Sequence, residues 1–228
     1  MSATATIKKS RAFSWSYSQL NNYETCPRRY QAYNVTKEVV EPESEHLKHG
    51  HDVHAAFEQR INFGTKLPLG MGMHEPLMAR LTSVPGSVYG ERKLAMNADF
   101  EPVAWFAPDA WFRQILDYTN VRDDGLAVTV DFKTGKPKED MTQLELSALT
   151  LMVQDPSVER VRTALIFVGY NQTEQATYVR EDIPELWDGI LPRVHELKRA
   201  KDKNEFPPKP GGLCRRYCGV KSCPYWGR

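Results

Sequence analysis

The sequence is poor in the features that would place it at a membrane or in an oxidised compartment. It has no long apolar run, four cysteines among 228 residues, and a net charge of only +1. The N-terminal stretch Met1–Arg11 carries no apolar core of a signal peptide, and no segment is long enough to span a bilayer. A soluble cytoplasmic protein is therefore expected. Four cysteines in a reducing compartment read as ligands rather than disulfides. Internal repeats and low-complexity tracts are also missing, so solenoid and fibrous architectures drop out.

What is present suits one large domain with an appendage. Hydrophobic residues make up 41% of the chain, enough for a core, and charged residues 26%. Near-neutrality does not exclude a nucleic-acid partner, because the distribution of charge decides that. The C-terminal stretch is locally basic, with Lys198, Arg199, Lys201, Lys203, Lys209, Arg215, Arg216, Lys221 and Arg228.

Residues 1–13 read as a flexible tail. Ser14–Ser18 reads as a cap for a helix bearing Leu20, Tyr23, Cys26 and Tyr30, with a kink or a fresh start at Pro27. A second helix is expected over about 47–62, burying Val53, Ala56, Phe57 and Ile61. Residues 63–87 read as a loop or loosely helical excursion. Strands are expected over 88–96, about 103–106, 111–119 and 126–133, with a tight turn at Asp123-Asp124-Gly125. A helix over 141–153, strands over 160–170 and 175–180 joined at Asn171–Thr173, and a long helix over 184–201 kinked at Pro192 complete the pattern. The order predicts an α/β fold: a mixed central sheet flanked by helices.

The densest chemistry lies in Val128-Thr-Val-Asp131-Phe-Lys133-Thr-Gly-Lys136, with Asp117 upstream in Ile115-Leu-Asp117-Tyr118. Strand alternation puts Asp131 and Lys133 on one side. Two carboxylates and a lysine at strand ends suit a divalent cation and a water nucleophile, and hence phosphodiester hydrolysis. The blander alternative makes Asp131 the start of an ordinary turn and Lys133 a solvated residue. Asp117 weighs against it: an acid interrupting the apolar stretch Trp111–Leu116 is costly unless solvated, paired or metal-bound.

Taken with Gly50-His-Asp-Val-His54 and Gln143-Leu-Glu-Leu-Ser147, these segments resemble the PD-(D/E)XK nuclease superfamily in its RecB-like branch. The resemblance runs from Ser16 to Cys223. It implies a restriction-endonuclease-like core, with His54, Asp117 and Asp131 as ligands for Mg²⁺ or Mn²⁺. It implies catalytic roles for Asp117, Asp131, Lys133 and Gln143, with Lys133 beside the attacking water and Gln143 orienting the site. His51 competes with His54 by proximity alone. Glu91 reads equally as a further acid of the site or as a surface partner of Arg92 or Lys93. Ser147 departs from the family, which usually has tyrosine there. The activity implied is a metal-dependent deoxyribonuclease, an exonuclease on linear DNA with an end. Its setting would be recombination, repair or phage DNA processing, in a bacterial or phage-infected cell. The rivals are a non-catalytic DNA-binding or assembly module on the same fold and an iron–sulfur redox or sensor protein. No protein partner can be named.

Cys26 lies near the start, and Cys214, Cys218 and Cys223 cluster near the end. Four thiolates suit a [4Fe–4S] cluster or a tetrahedral zinc, and the resemblance favours iron–sulfur. Either would clamp the two ends together. The expected organisation is a single nuclease domain over 14–228, with a core of about 47–182 and a cysteine-bearing subdomain formed by about 14–46 and 183–228. Arg28, Arg29 and Tyr30, with Arg215, Arg216 and Tyr217, would then form basic-aromatic patches for DNA, joined by Lys136 beyond the active-site strand. The alternative leaves these arginines as a solvated surface and packs the tyrosines around the cluster. Trp15, Trp105, Trp111 and Trp187 read as core or core-edge residues.

Overall fold

The computed structural model describes residues 13–40, 44–138 and 141–228. Residues 1–12, most of the expected tail, lie outside the described residues. Phe13 packs against the core and lies under the Lys201 ammonium, 4.9 Å from its ring centre.

Ser16 caps α1 (Tyr17–Thr25) by accepting the Gln19 amide, as a residue with free side-chain oxygen at that position should. Pro27 does not kink that helix but opens a new one, α2 (Pro27–Tyr30), which runs on into a π-helical turn over Gln31–Val35. Ser44 caps α3 (Glu45–Phe63), and Gly64, at φ 69°, ends it. Val53, Phe57 and Ile61 are its buried stripe; Ala56, expected to be buried, is only partly so. The stretch read as a loop or loosely helical excursion contains a helix, α4 (Glu75–Thr82), anchored by fully buried Met78.

Six strands form one sheet: β1 (Ser87–Met96), β2 (Pro102–Val103), β3 (Phe112–Val121), β4 (Leu126–Lys133), β5 (Arg160–Phe167) and β6 (Gln172–Val179), in the order β2-β1-β3-β4-β5-β6. All neighbours are antiparallel except β4 and β5, which run parallel and are joined across α5 (Met141–Gln154). The expected strand at 103–106 shrinks to Pro102–Val103. Turns replace it, with the Ala107 amide donating to Ala104 and that of Ala110 to Ala107. The β5–β6 turn falls at Val168–Asn171, earlier than expected, with Asn171 at φ 50°.

Helices α3 and α4 cover one face of the sheet, where Val53, Phe57 and Met78 pack on Tyr118, Val130 and Phe132. On the other face α5 lies against Leu94, Ala127, Val161 and Leu165. Helix α6 (Ile183–Lys203) covers α5 in turn, with Trp187, Ile190, Val194 and Leu197 at helical spacing and Pro192 inside a continuous helix. A helix buried on both sides should be apolar all round, and α5 buries every residue from Leu146 to Met152. Among the described residues, no helix is long and apolar enough to cross a membrane.

Candidate active site

The site grows from a fork in the sheet. The β3–β4 ladder runs from Val121–Ala127 only as far as Tyr118–Val130. Past that pair β3 stays with β1 to Phe112, while β4 stays with β5 to Lys133. Asp117 and Asp131 are the first residues beyond the last β3–β4 pair, one on each prong. Asp117 Oδ2 accepts the Phe132 amide at 2.7 Å, so a buried carboxylate satisfies the backbone group that the ladder abandons.

Both strands on the β1 side of the fork also break their alternation. Leu116 packs on the α5 face and Tyr118 on the α3 face, although residues two apart in a regular strand share a side. The break falls at Asp117 and at its neighbour Glu91, which sits at φ 51°, a conformation a non-glycine residue rarely adopts. The side chain of Asn62, on α3, grips the preceding residue: it accepts the Gly90 amide at 2.7 Å and donates to the Gly90 carbonyl at 3.1 Å. The kink turns the Glu91 carboxylate towards the fork.

There His54 Nδ1, from the middle of α3, lies 3.3 Å from Asp117 Oδ1 and 3.6 Å from Glu91 Oε1. Ligand atoms of His54, Glu91 and Asp117 all fall within 4.8 Å of one another. Hydrogen bonds to Asp117 and then Glu91 push the His54 pKa up to about 10 against the opposing effect of burial. A proton so tightly held marks a position where two carboxylates favour a cation. His51, the competing histidine, is exposed.

On the other prong Lys133 Nζ lies 2.7 Å from Asp131 Oδ2, and the Gln143 side-chain amide, from the first turn of α5, donates to Asp131 Oδ1. Burial, and then the Asp117 charge, push the Asp131 carboxyl up to about 6, with Lys133 and His54 pulling the other way. Two acids, a lysine, a histidine and an amide thus converge on one fork. Glu91, which the sequence left ambiguous, belongs with them, and the signal that could have found it is the unusual backbone, which sequence does not carry. Ser147, where tyrosine is usual, is buried. It accepts from Gln114 Nε2 at 2.8 Å and donates to the Gln143 carbonyl at 2.8 Å, so it fastens α5 to β3 next to the site.

Of the residues expected in the basic-aromatic patches, Tyr30 is the one the fold turns away from solvent. Tyr30 is 1% exposed and packs near Tyr23 and Phe206, so its ring has no face to offer a base. Arg28 pairs with Glu38 and donates to Ser222 at 3.1 Å; Arg29 lies 4.5 Å over the Tyr33 ring. Arg215 and Arg216, on α7 (Leu213–Arg216), are exposed, as is Lys136 beyond β4. Trp15, Trp111 and Trp187 join the core, whereas Trp105 belongs to none of the three core clusters.

The segments bearing the four cysteines are tied together. Lys209 donates its amide to Cys26 Sγ at 3.3 Å, Gly219 donates to Tyr33 Oη at 3.0 Å, and Arg28 reaches the residue before Cys223. All four thiols are free and partly exposed. Among the described residues the one close-set group of potential ligands is His54–Glu91–Asp117.

Comparison with known proteins bears on this arrangement. The family model of the PD-(D/E)XK nuclease superfamily matches residues 14–224. The fold resembles the crystal structure of a candidate exonuclease from Eubacterium rectale, with TM-score 0.54 and 12% identity over 94% of this chain and 91% of that one. A looser likeness is to the crystal structure of SSO0001, with TM-score 0.46 and 15% identity over 96% and 89% of the two chains. No curated protein matches.

Proposed function

The chain belongs to the PD-(D/E)XK nuclease superfamily, and we propose that it is a Mg²⁺- or Mn²⁺-dependent deoxyribonuclease of the RecB-like branch that degrades linear DNA from an end. The observation that carries this reading is the meeting, at one fork, of His54, Glu91 and Asp117 with the Asp131–Lys133 pair. Oxygen and imidazole donors suit such ions, and the charge that holds a proton on His54 would favour a divalent cation in its place. His54, Asp117 and Asp131, with Glu91, would hold the metal. When bound, it would polarise a phosphate oxygen and lower the pKa of a water.

The chain's own residues set the rest. Gln143 fixes the Asp131 carboxylate from α5. Lys133, ion-paired to Asp131 yet one-third exposed, can meet an incoming phosphate and stabilise the charge that builds on it. Phe132, whose backbone amide donates to Asp117 Oδ2, couples the two prongs, so the acids are positioned before substrate arrives. A setting in recombination, repair or phage DNA processing follows the family resemblance. So does a [4Fe–4S] cluster on Cys26, Cys214, Cys218 and Cys223, supported by partly exposed free thiols on two segments that bond to each other.

Linear DNA labelled separately at its 5′ and 3′ ends tests the reading, with wild type and Asp131→Ala compared in Mn²⁺ and Mg²⁺. Metal-dependent release of end label by wild type alone is expected. Folded protein that binds DNA without cutting it would instead indicate a non-catalytic module on the same fold.

A further inference from the structure

Three helices pack together on one side of the sheet, and one side chain joins all three. Leu20 of α1, Leu146 and Leu149 of α5, and Ile190 and Val194 of α6 share an apolar cluster. Apolar contact is non-directional, so it gathers the helices without fixing the rotation of any one about its axis. Beside the cluster, Arg193 on α6 supplies direction. Its Nε and Nη2 donate to the two carboxylate oxygens of Glu24, near the end of α1, at 2.6 and 2.8 Å. Its Nη1 donates to Thr142 Oγ1, in the first turn of α5, at 2.8 Å. A planar guanidinium gripped along one edge by a carboxylate has little freedom left, so its third corner is a fixed point. Glu24 is anchored in turn, because Lys209 Nζ donates to its carbonyl at 2.8 Å.

The residue after Thr142 is Gln143, whose side-chain amide donates to Asp131 Oδ1. Consecutive residues of a helix project about 100° apart, so Thr142 can face Arg193 while Gln143 faces the fork. The start of a helix is the part that loosens first, because its first four N–H groups have no partner within the helix. From the sheet side this turn is held by Ser147, which donates to the Gln143 carbonyl at 2.8 Å. From the helix side it is held by Arg193. A rotation of about 15° at the ~5–6 Å radius of helix side chains would carry the Gln143 amide about 1.4 Å from its place. A misplacement of about 1 Å, caused by a change far from the chemistry, can cost about 100-fold in rate.

We propose, on the premise of the nuclease reading, that Arg193 is a positioning residue for the reaction. Through Thr142 it fixes the rotation of the first turn of α5, and so sets where Gln143 holds the Asp131 carboxylate. Glu24 and Lys209 brace the guanidinium from the two ends of the chain. The effect on the site passes through Gln143.

The test is a double-mutant cycle. Thr142→Val removes the hydroxyl at nearly constant shape, and Thr142→Ser keeps it. Arg193→Lys keeps the charge but not the planar set of donors, and Gln143→Ala removes the end of the chain of contacts. Each variant is read by Mn²⁺ affinity in calorimetry and by kcat and KM on end-labelled linear DNA, with thermal melting to confirm folding. Thr142→Val and Arg193→Lys should each weaken Mn²⁺ binding about tenfold, the scale of a lost supporting contact, and lower kcat about tenfold with KM changed far less. Thr142→Ser should restore both. Thr142→Val added to Gln143→Ala should do no further harm, since a tie that acts through Gln143 then has nothing to act on. Losses that multiply in the double variant would overturn the proposal and leave the nuclease standing. So would Thr142→Val at wild-type Mn²⁺ affinity and kcat, whatever its melting temperature. If wild type cuts nothing, the nuclease reading fails instead, and the Mn²⁺ affinities alone decide. The same failure to multiply upholds the tie; multiplying losses, or a wild type that binds no Mn²⁺, overturn it.

Discussion

Asp117 Oδ2 accepts the amide of Phe132 at 2.7 Å across the point where β3 and β4 part. One carboxylate thus closes the backbone hydrogen-bond account of the fork and turns its other oxygen to His54. The two duties separate by substitution. Asp117→Asn keeps an acceptor for Phe132 but loses the charge; Asp117→Ala loses both. Cleavage should fall about 100-fold or more in each. Asp117→Ala alone should lose a further ~1–3 kcal/mol in urea unfolding, the cost of an orphaned buried amide. Equal stability losses in the two variants would show that the bond to Phe132 does not matter.

Metal binding should expel a proton. In the metal-free protein His54 is held at about 10 against an ordinary 6.5, so its contribution to stability is complete below pH 6.5 and fades as pH rises towards 10. Asp131, raised from 3.8 to about 6, acts in the same sense lower down: its contribution is present below 3.8 and lost as pH passes 6. At pH 8 a bound Mn²⁺ must displace the His54 proton. Calorimetry in buffers of different ionisation heat should show about one proton released per ion, and affinity rising about tenfold per pH unit up to the His54 pKa. His54→Ala should abolish the release. An unchanged proton count in that variant would remove His54 from the ligand set.

Ser147 fills the position where the family usually has tyrosine, and the buried Ser147–Gln114–Thr150 chain shows what it does instead. Ser147→Ala strands one Gln114 proton and should cost ~1–2 kcal/mol. Ser147→Tyr must force a ring into a site that is 4% exposed and should cost at least as much through overpacking. Urea unfolding of both variants checks this, and a stabilised Ser147→Tyr would contradict it.

The parts of the site that sequence revealed are those fixed by local pattern. Asp131 and Lys133 share a strand side, which alternation alone predicts, whereas Gln143 on the next helix was marked by the family resemblance and not by its spacing. The helices α3, α5 and α6 were visible through their apolar periodicity. What escaped depends on contacts distant in sequence. Glu91 reaches the fork through a backbone kink secured by Asn62. Helix α4 hides among glycines and prolines because one residue, Met78, anchors it. Tyr30 follows two arginines and read equally as a DNA contact or as packing, and the fold of α2 decides for the core. Trp105 read as core or core edge and lies half-buried on a turn outside the three core clusters.

The cysteine clamp makes a separable prediction. Cys218→Ser should lower iron content and visible absorbance if the thiols hold a cluster. It should also expose the segment after Phe206 to protease, since bonds such as Gly219 to Tyr33 would no longer be reinforced. The sheet and the fork lie on the other elements and should keep their melting transition. Zinc in place of iron by elemental analysis would reassign the ligand without altering the clamp.

Asn62 acts on the fork without touching it. Its side chain occupies both backbone groups of Gly90, and a Cβ on Gly90 would come within 3.2 Å of Asn62, so helix and strand are locked at close approach. The next residue is Glu91, in a backbone conformation that needs outside support. Asn62→Ala should therefore release Glu91 from its place beside His54. A misplaced ligand weakens metal binding about 10–100-fold, the scale of lost supporting contacts. The Mn²⁺ concentration for half-maximal cleavage should rise by that factor, while the rate at saturating Mn²⁺ stays within a few-fold of wild type. Asn62→Asp keeps the acceptor for the Gly90 amide and should recover part of the loss. A rate that falls equally at every Mn²⁺ concentration would mean that Asn62 supports the strand alone and that Glu91 plays no part in holding the ion.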